Sequence, residues 1–211
     1  SSADVIQVIK KTLKTQNYPC SIEVSPHHLY LNYKNSFESE NLGKVLVPLR
    51  SPEIQRDLLK EFSQGNTDII GTDHAPHNLE EKMQSFFKAP SGFPYIDFAS
   101  RILLTEMFEQ RMKLEDLVAQ YSSNPAKLFQ LSTQGQLKPG YDADIVIVST
   151  TDPYPIHGQD MLSQQKWTPW ENYSLGAEID YVIIGGELAY GREKNYFAPR
   201  GTRLTPHKES I

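Results

Sequence analysis

Apolar positions near the start of the chain recur with a helical period. Val5, Ile6, Ile9 and Leu13 share one face of residues 3–16. Lys10, Lys11 and Lys14 fall toward the carboxyl end, where cations suit the helix dipole. Ser1 or Ser2 can cap the start, and Asn17-Tyr18-Pro19 ends the helix. The period then drops to two at Ser21-Ile22-Glu23-Val24, which predicts a strand running into Ser25-Pro26-His27-His28. Residues 32–43 are polar and predict a loop. Residues 44–50 are apolar and extended, with Pro48 arguing against a central strand. Ser51-Pro52 opens a second helix, with Ile54, Leu58, Leu59 and Phe62 inward and Gly65 closing it. Asp68-Ile69-Ile70, between Gly65 and Gly71, predicts a short buried strand. The order helix, strand, loop, helix, strand implies an α/β fold with parallel pairing.

Downstream, Pro90-Ser91-Gly92-Phe93-Pro94 makes a constrained loop. Helices are predicted over residues 95–111, with Phe98, Ile102, Leu103 and Met107 inward, and over 114–121, with a short one opening at Asn124-Pro125. The pattern changes near Ser132. Residues 143–148 are β-branched and predict a strand, whereas 149–178 are polar, aromatic and without clear period. Gly185-Gly186, between residues 179–184 and 187–190, signals a hairpin. Residues 198–211 read as an exposed tail. The boundary near Ser132 predicts two domains: 1–131, helical and α/β, and 132–211, mostly β.

Composition narrows the function classes. The 211 residues carry a net charge of -5 with no basic stripe, which argues against nucleic acid as a partner. Cys20 is the sole cysteine, which excludes an internal disulfide and a multi-cysteine zinc site and fits a reducing, cytoplasmic compartment. No apolar run reaches the roughly 18 residues of a membrane span, and no signal peptide is visible. The chain opens on Ser1 rather than Met, as a fragment or a processed chain would.

The chemistry concentrates in Gly71-Thr72-Asp73-His74-Ala75-Pro76-His77. A carboxylate and imidazoles at the carboxyl end of a parallel strand stand where α/β enzymes keep their reacting groups. Asp73 is the foremost candidate, as metal ligand or as a base toward metal-bound water. An ordinary polar turn is the alternative. His74 and His77 are three apart and need not face one side. For His27-His28, strand-end histidines hydrogen-bonded to backbone are the favoured reading. Cys20 and the aromatics of residues 167–173 read as packing. Catalytic zinc usually takes three protein ligands, and three convincing ones do not emerge from this chain.

These motifs resemble those of the dihydroorotases, in the cyclic amidohydrolase superfamily. Thr72-Asp73-His74-Ala75-Pro76-His77 and Glu23-Val24-Ser25-Pro26-His27-His28-Leu29 resemble the two dihydroorotase signatures. Glu80-Glu81-Lys82 and Ser91-Gly92-Phe93-Pro94 also fit, and Asn124-Pro125-Ala126 and residues 137–144 resemble the wider superfamily. The resemblance implies the C-terminal part of a (β/α)8 TIM-like barrel plus part of a small β-sandwich domain. Residues 21–24 and 68–73 would then be the seventh and eighth strands. It also implies a zinc-dependent interconversion of dihydroorotate and N-carbamoyl-aspartate in pyrimidine biosynthesis, with one or two zinc ions. By the same resemblance, Asp73 is metal ligand and general base, His77 contacts the substrate carboxylate, and backbone at Gly92 contacts the ring. The other metal ligands would come from a complementary N-terminal half. A homo-oligomer or a carbamoyltransferase partner is a further implication. Leu46 departs from the pattern, because that place commonly holds Asn or Arg for the substrate carboxylate; Arg50 is a possible substitute. That departure keeps open a hydantoinase-like or allantoinase-like cyclic amidase. The other alternative is an inactive homologue that scaffolds a carbamoyltransferase.

Overall fold

A computed structural model describes residues 2–16, 19–194, 196–197, 201 and 204. The first helix, α1, spans Ala3–Gln16 as its periodicity predicts. The predicted caps Ser1, Asn17 and Tyr18 lie outside the described residues, as does nearly all of the predicted tail. Only Ile6 of the predicted apolar face is fully buried, and Val5 and Val8 are exposed. Two short strands follow the α/β expectation: β1 (Glu23–Val24) runs parallel to β2 (Ile69–Ile70), with Val24 opposite Ile70. The Asp68 carboxylate accepts the Ile22 N–H at 2.7 Å and secures the lower end of the pair.

Between them stand α2 (Pro26–Tyr30) and α3 (Pro52–Ser63). The sequence pattern gives a strand over residues 21–24 and no helix directly after it. Pro26 at the first helical position, behind an extended Ser25, turns the chain into a helix instead. The α3 cap forms as expected, with Ser51 Oγ accepting the Ile54 N–H at 3.3 Å. Leu58 and Phe62 bury its inner face, but Ile54 is 38% exposed and does not belong to it.

Beyond β2 come the one-turn α4 (Leu79–Lys82), then α5 (Ile96–Phe108), α6 (Leu114–Val118) and α7 (Asn124–Leu128). The last two are not separate helices. A π-helical turn over Ala119–Ser123 joins them, with the Asn124 N–H bonded to the Ala119 carbonyl. Pro125 has no N–H to continue the regular ladder, and widening the turn accommodates it. The Asn124 side chain donates to the Asp68 carbonyl at 2.7 Å and ties this run to the base of β2.

A four-stranded antiparallel sheet follows in the order β3 (Ile145–Pro155), β4 (Ser174–Ile184), β5 (Glu187–Gly191), β6 (Tyr196–Phe197). Gly185 and Gly186 both take positive φ, as the hairpin turn requires. The sheet reaches further into residues 149–178 than the pattern predicted. Register shifts after Ile147 and after Thr150 break the alternation there and hide the strand.

Helix α5 lies between two apolar clusters. Phe98 and Ile102 face Phe93, Tyr95, Trp167, Trp170 and Leu175, while Leu103 faces Leu29, Phe62, Ile70 and Leu117. Trp167, Trp170 and Tyr173 are therefore packing residues, as expected. Polar ties also dock α5 on β4. Thr105 Oγ1 accepts the Gly176 N–H at 3.0 Å, and the buried Glu106 carboxylate accepts from Tyr173 at 2.8 Å and from Nε and Nη2 of Arg111. Glu106 in turn raises the affinity of Arg111 for its proton. Cys20 is exposed rather than packed in the core.

Candidate active site

The turn that carries the candidate chemistry leaves the carboxyl end of β2 and is backed by residues 91–96. His74 forms a parallel bridge with Phe93, and the Ala75 N–H donates to the Phe93 carbonyl at 3.0 Å. Gly92 is needed at this contact. Its φ is +140°, and a Cβ there would meet Ala75 Cβ at 2.5 Å and the Ala75 carbonyl at 3.0 Å.

Asp73 is exposed and takes φ +51°, left-handed backbone that costs a non-glycine residue energy unless its surroundings hold it. It lines a cleft of about 340 Å³ with Glu23, Ser25, His28, Leu46 and Val47. One wall of this cleft is formed by Val5, Ile6 and Ile9 of α1. His28 lies in the helical turn after β1, and its Nε2 donates to the Val47 carbonyl at 2.9 Å. Burial lowers its pKa, against the raising effect of the Val47 bond and of the Asp73 charge. Leu46 is 72% exposed in this cleft. Arg50 is near enough for its charge to lower the His28 pKa further.

His77 and Gly92 meet each other rather than the lining of that cleft. The ring of His77 approaches the Gly92 Cβ position to 3.3 Å, and Nε2 donates to the Ser91 carbonyl at 3.2 Å. Nδ1 is therefore the ring atom left for a ligand. The His77 carbonyl accepts the Trp167 indole N–H at 2.8 Å. Gly92 itself is buried, and its N–H is donated to the Lys44 carbonyl at 3.1 Å.

Several residues of the motifs take structural roles that the sequence pattern did not assign to them. Lys82 has no exposed surface. Its ammonium donates to the carbonyls of Lys44 at 2.9 Å, Pro90 at 3.1 Å and Gly92 at 3.3 Å, and it faces the rings of Phe93 and Trp167. Three donors meet three acceptors. Burial, then the neighbouring Lys44, pushes its pKa down to about 8. His74 is not aimed at a ligand by its Nδ1, which accepts the Tyr95 and Ile96 N–H groups at 3.2 Å each, at the start of α5. His27 is fully buried, in a helical turn rather than at a strand end. Its Nδ1 is 3.0 Å from the Tyr95 hydroxyl, which corrects the expectation of a backbone partner.

Among the described residues, no group of three or more His, Cys, Asp or Glu side chains is gathered closely enough to hold a metal ion. Asp73 alone does not meet the three-ligand requirement of catalytic zinc. The donors among the described residues therefore fit at most one side of such a centre. No helix among the described residues is long and apolar enough to cross a membrane.

A parallel strand pair, helices packed around it and a carboxylate at the strand end define an enzyme-like α/β architecture. The sequence profile of the amidohydrolase family matches residues 5–189, and the chain belongs to that family. Within it, the chain is similar to a dihydroorotase of Methanosphaera stadtmanae, at 37% identity over 90% of this chain and 43% of that one. A dihydroorotase of Pyrococcus horikoshii is 31% identical over 93% of this chain and 45% of that one. Among solved structures, an L-hydantoinase (dihydropyrimidinase) from Arthrobacter aurescens superposes with a TM-score of 0.81 at 25% identity, covering 90% of this chain and 43% of that one. A D-hydantoinase from a Thermus species shares the fold, with a TM-score of 0.82 at 24% identity over 94% of this chain and 44% of that one. The chain thus spans less than half the length of these relatives. The expected α/β class of the amidohydrolase barrel is borne out.

Proposed function

We propose that this chain is one part of a dihydroorotase, which interconverts dihydroorotate and N-carbamoyl-aspartate. The carrying observation is Asp73 at the carboxyl end of β2, exposed in a cleft and held in left-handed backbone. The similarity to curated dihydroorotases over nine-tenths of the chain supports the choice of substrate. Asp73 takes the proton of the attacking water and returns it to the leaving amide nitrogen. His77 lies beside the substrate carboxylate, and backbone at Gly92 borders the ring. Zinc is the proposed cofactor. When bound, it lowers the pKa of its water toward about 7. Its remaining ligands come from an N-terminal half, which would also cover the exposed apolar side of α1. The proposed division of labour is a barrel portion over 1–131 and a small β domain over 132–211, in a cytoplasmic enzyme.

The test compares hydrolysis of dihydroorotate, with added zinc, by the 211-residue chain alone and by the chain joined to its N-terminal half. Turnover by the joined protein only is expected. Turnover by the chain alone removes the need for a partner half, and none by either removes the function. Leu46 in the cleft favours one second reading, a hydantoinase-like cyclic amidase. A panel of dihydroorotate, hydantoin and dihydrouracil on the joined protein separates the two.

A further inference from the structure

Asp73 is bracketed on both sides by one residue that has no surface of its own. Tyr95 is fully buried, at the N-cap of α5. Its hydroxyl donates to the carbonyl of Thr72, the residue before Asp73. Its backbone N–H donates to Nδ1 of His74, the residue after Asp73, at 3.2 Å. The left-handed Asp73 thus stands between two contacts made to the same buried residue.

The proton positions follow from what each atom can do. A carbonyl only accepts, so the single Tyr95 hydroxyl proton is spent on Thr72. The Tyr95 oxygen must then accept from His27, whose Nδ1 carries the ring proton. His27 Nε2 is left as a buried lone pair with no partner among the described residues. That is a neutral imidazole in a single tautomer, consistent with its full burial. His74 is likewise committed as an acceptor, because two amide N–H groups point at its Nδ1.

We propose that Tyr95, oriented by His27, is a positioning residue that fixes the Thr72–Asp73 peptide and so aims the Asp73 carboxylate. The inference rests on the proposed catalytic role of Asp73, and it assigns work to two side chains that touch no substrate. A clamp of this kind acts on the reacting geometry more than on substrate affinity, because a small misplacement of the base is felt at the transition state.

The test uses the chain joined to its N-terminal half. Tyr95→Phe keeps the ring and removes only the hydroxyl. We expect kcat for dihydroorotate hydrolysis to fall about 10-fold with KM within about twofold. An unchanged kcat, or a loss confined to KM, overturns the proposal. Should Tyr95→Phe not fold, His27→Gln carries the same comparison, with kcat down about threefold and KM constant. A second readout needs no turnover. Glycine adopts φ +51° freely, so Asp73→Gly should raise the melting temperature by about 2 °C while the clamp is present. With Tyr95→Phe in place, that gain should disappear. An equal gain in both backgrounds overturns the clamp. If the unmodified protein does not hydrolyse dihydroorotate, the functional reading fails, and this thermal cycle alone decides the clamp.

Discussion

Replacing His27 by Gln should change how the stability of the protein depends on pH. The imidazole is fully buried, and burial, with a smaller effect from His28, lowers its pKa from 6.5 to about 3. The unfolded chain therefore takes up this proton first as pH falls. The contribution of neutral His27 is complete above pH 6.5 and is lost progressively down to about pH 3. Over the whole window the shift corresponds to about 5 kcal/mol, of which about 2 kcal/mol is already lost between pH 8 and pH 5. The pKa values of His28 and His74 are lowered as well, also by burial first, and they act in the same direction. The assay is urea unfolding followed by the fluorescence of the buried Trp167 and Trp170, at pH 8 and at pH 5. Gln cannot titrate, so the stability gap between wild type and His27→Gln isolates this one group. The gap should move by about 2 kcal/mol toward the variant on acidification. A gap that stays constant to within about 0.5 kcal/mol would refute a neutral, desolvated His27.

Two further substitutions test the loop that backs Asp73. Gly92→Ala combines φ +140° with a Cβ at 2.5 Å from that of Ala75, and should cost about 2–3 kcal/mol, seen as a lower thermal midpoint. Lys82→Met keeps the stem's packing but strips the donors from the carbonyls of Lys44, Pro90 and Gly92. It should lower the urea midpoint by the equivalent of about 3 kcal/mol or more; a loss under about 1 kcal/mol would mean that water replaces the ammonium at these carbonyls.

Sequence patterning accounts for much of the fold here because the element-forming signals are local. The periodicity of α1 and α3, the Ser51-Pro52 helix start and the Gly185-Gly186 turn are each decided within a few residues. The failures have local causes too. The short helix opening at Pro26 went unpredicted because its start follows the strand directly, and at Ile147 and Thr150 the register shifts erased the alternation that marks a strand. Cys20, taken for a core residue, is exposed, because hydrophobic character alone does not choose a side of the chain.

The sequence by itself determined the chemical inventory: a carboxylate and two imidazoles at a strand end, the motifs they resemble, and too few metal donors for a complete centre. Chemical identity and short-range spacing are properties of the chain before it folds. Only the tertiary structure decided the relations among these groups. It sends His77 toward Ser91 and Gly92, gives His74 to the start of α5, and buries Lys82 among three carbonyls. It also brings Tyr95 from 22 positions away in the sequence to hold the peptide before Asp73. Such contacts depend on how β2, α2 and α5 pack in space, and no spacing along the chain encodes which hydroxyl meets which carbonyl.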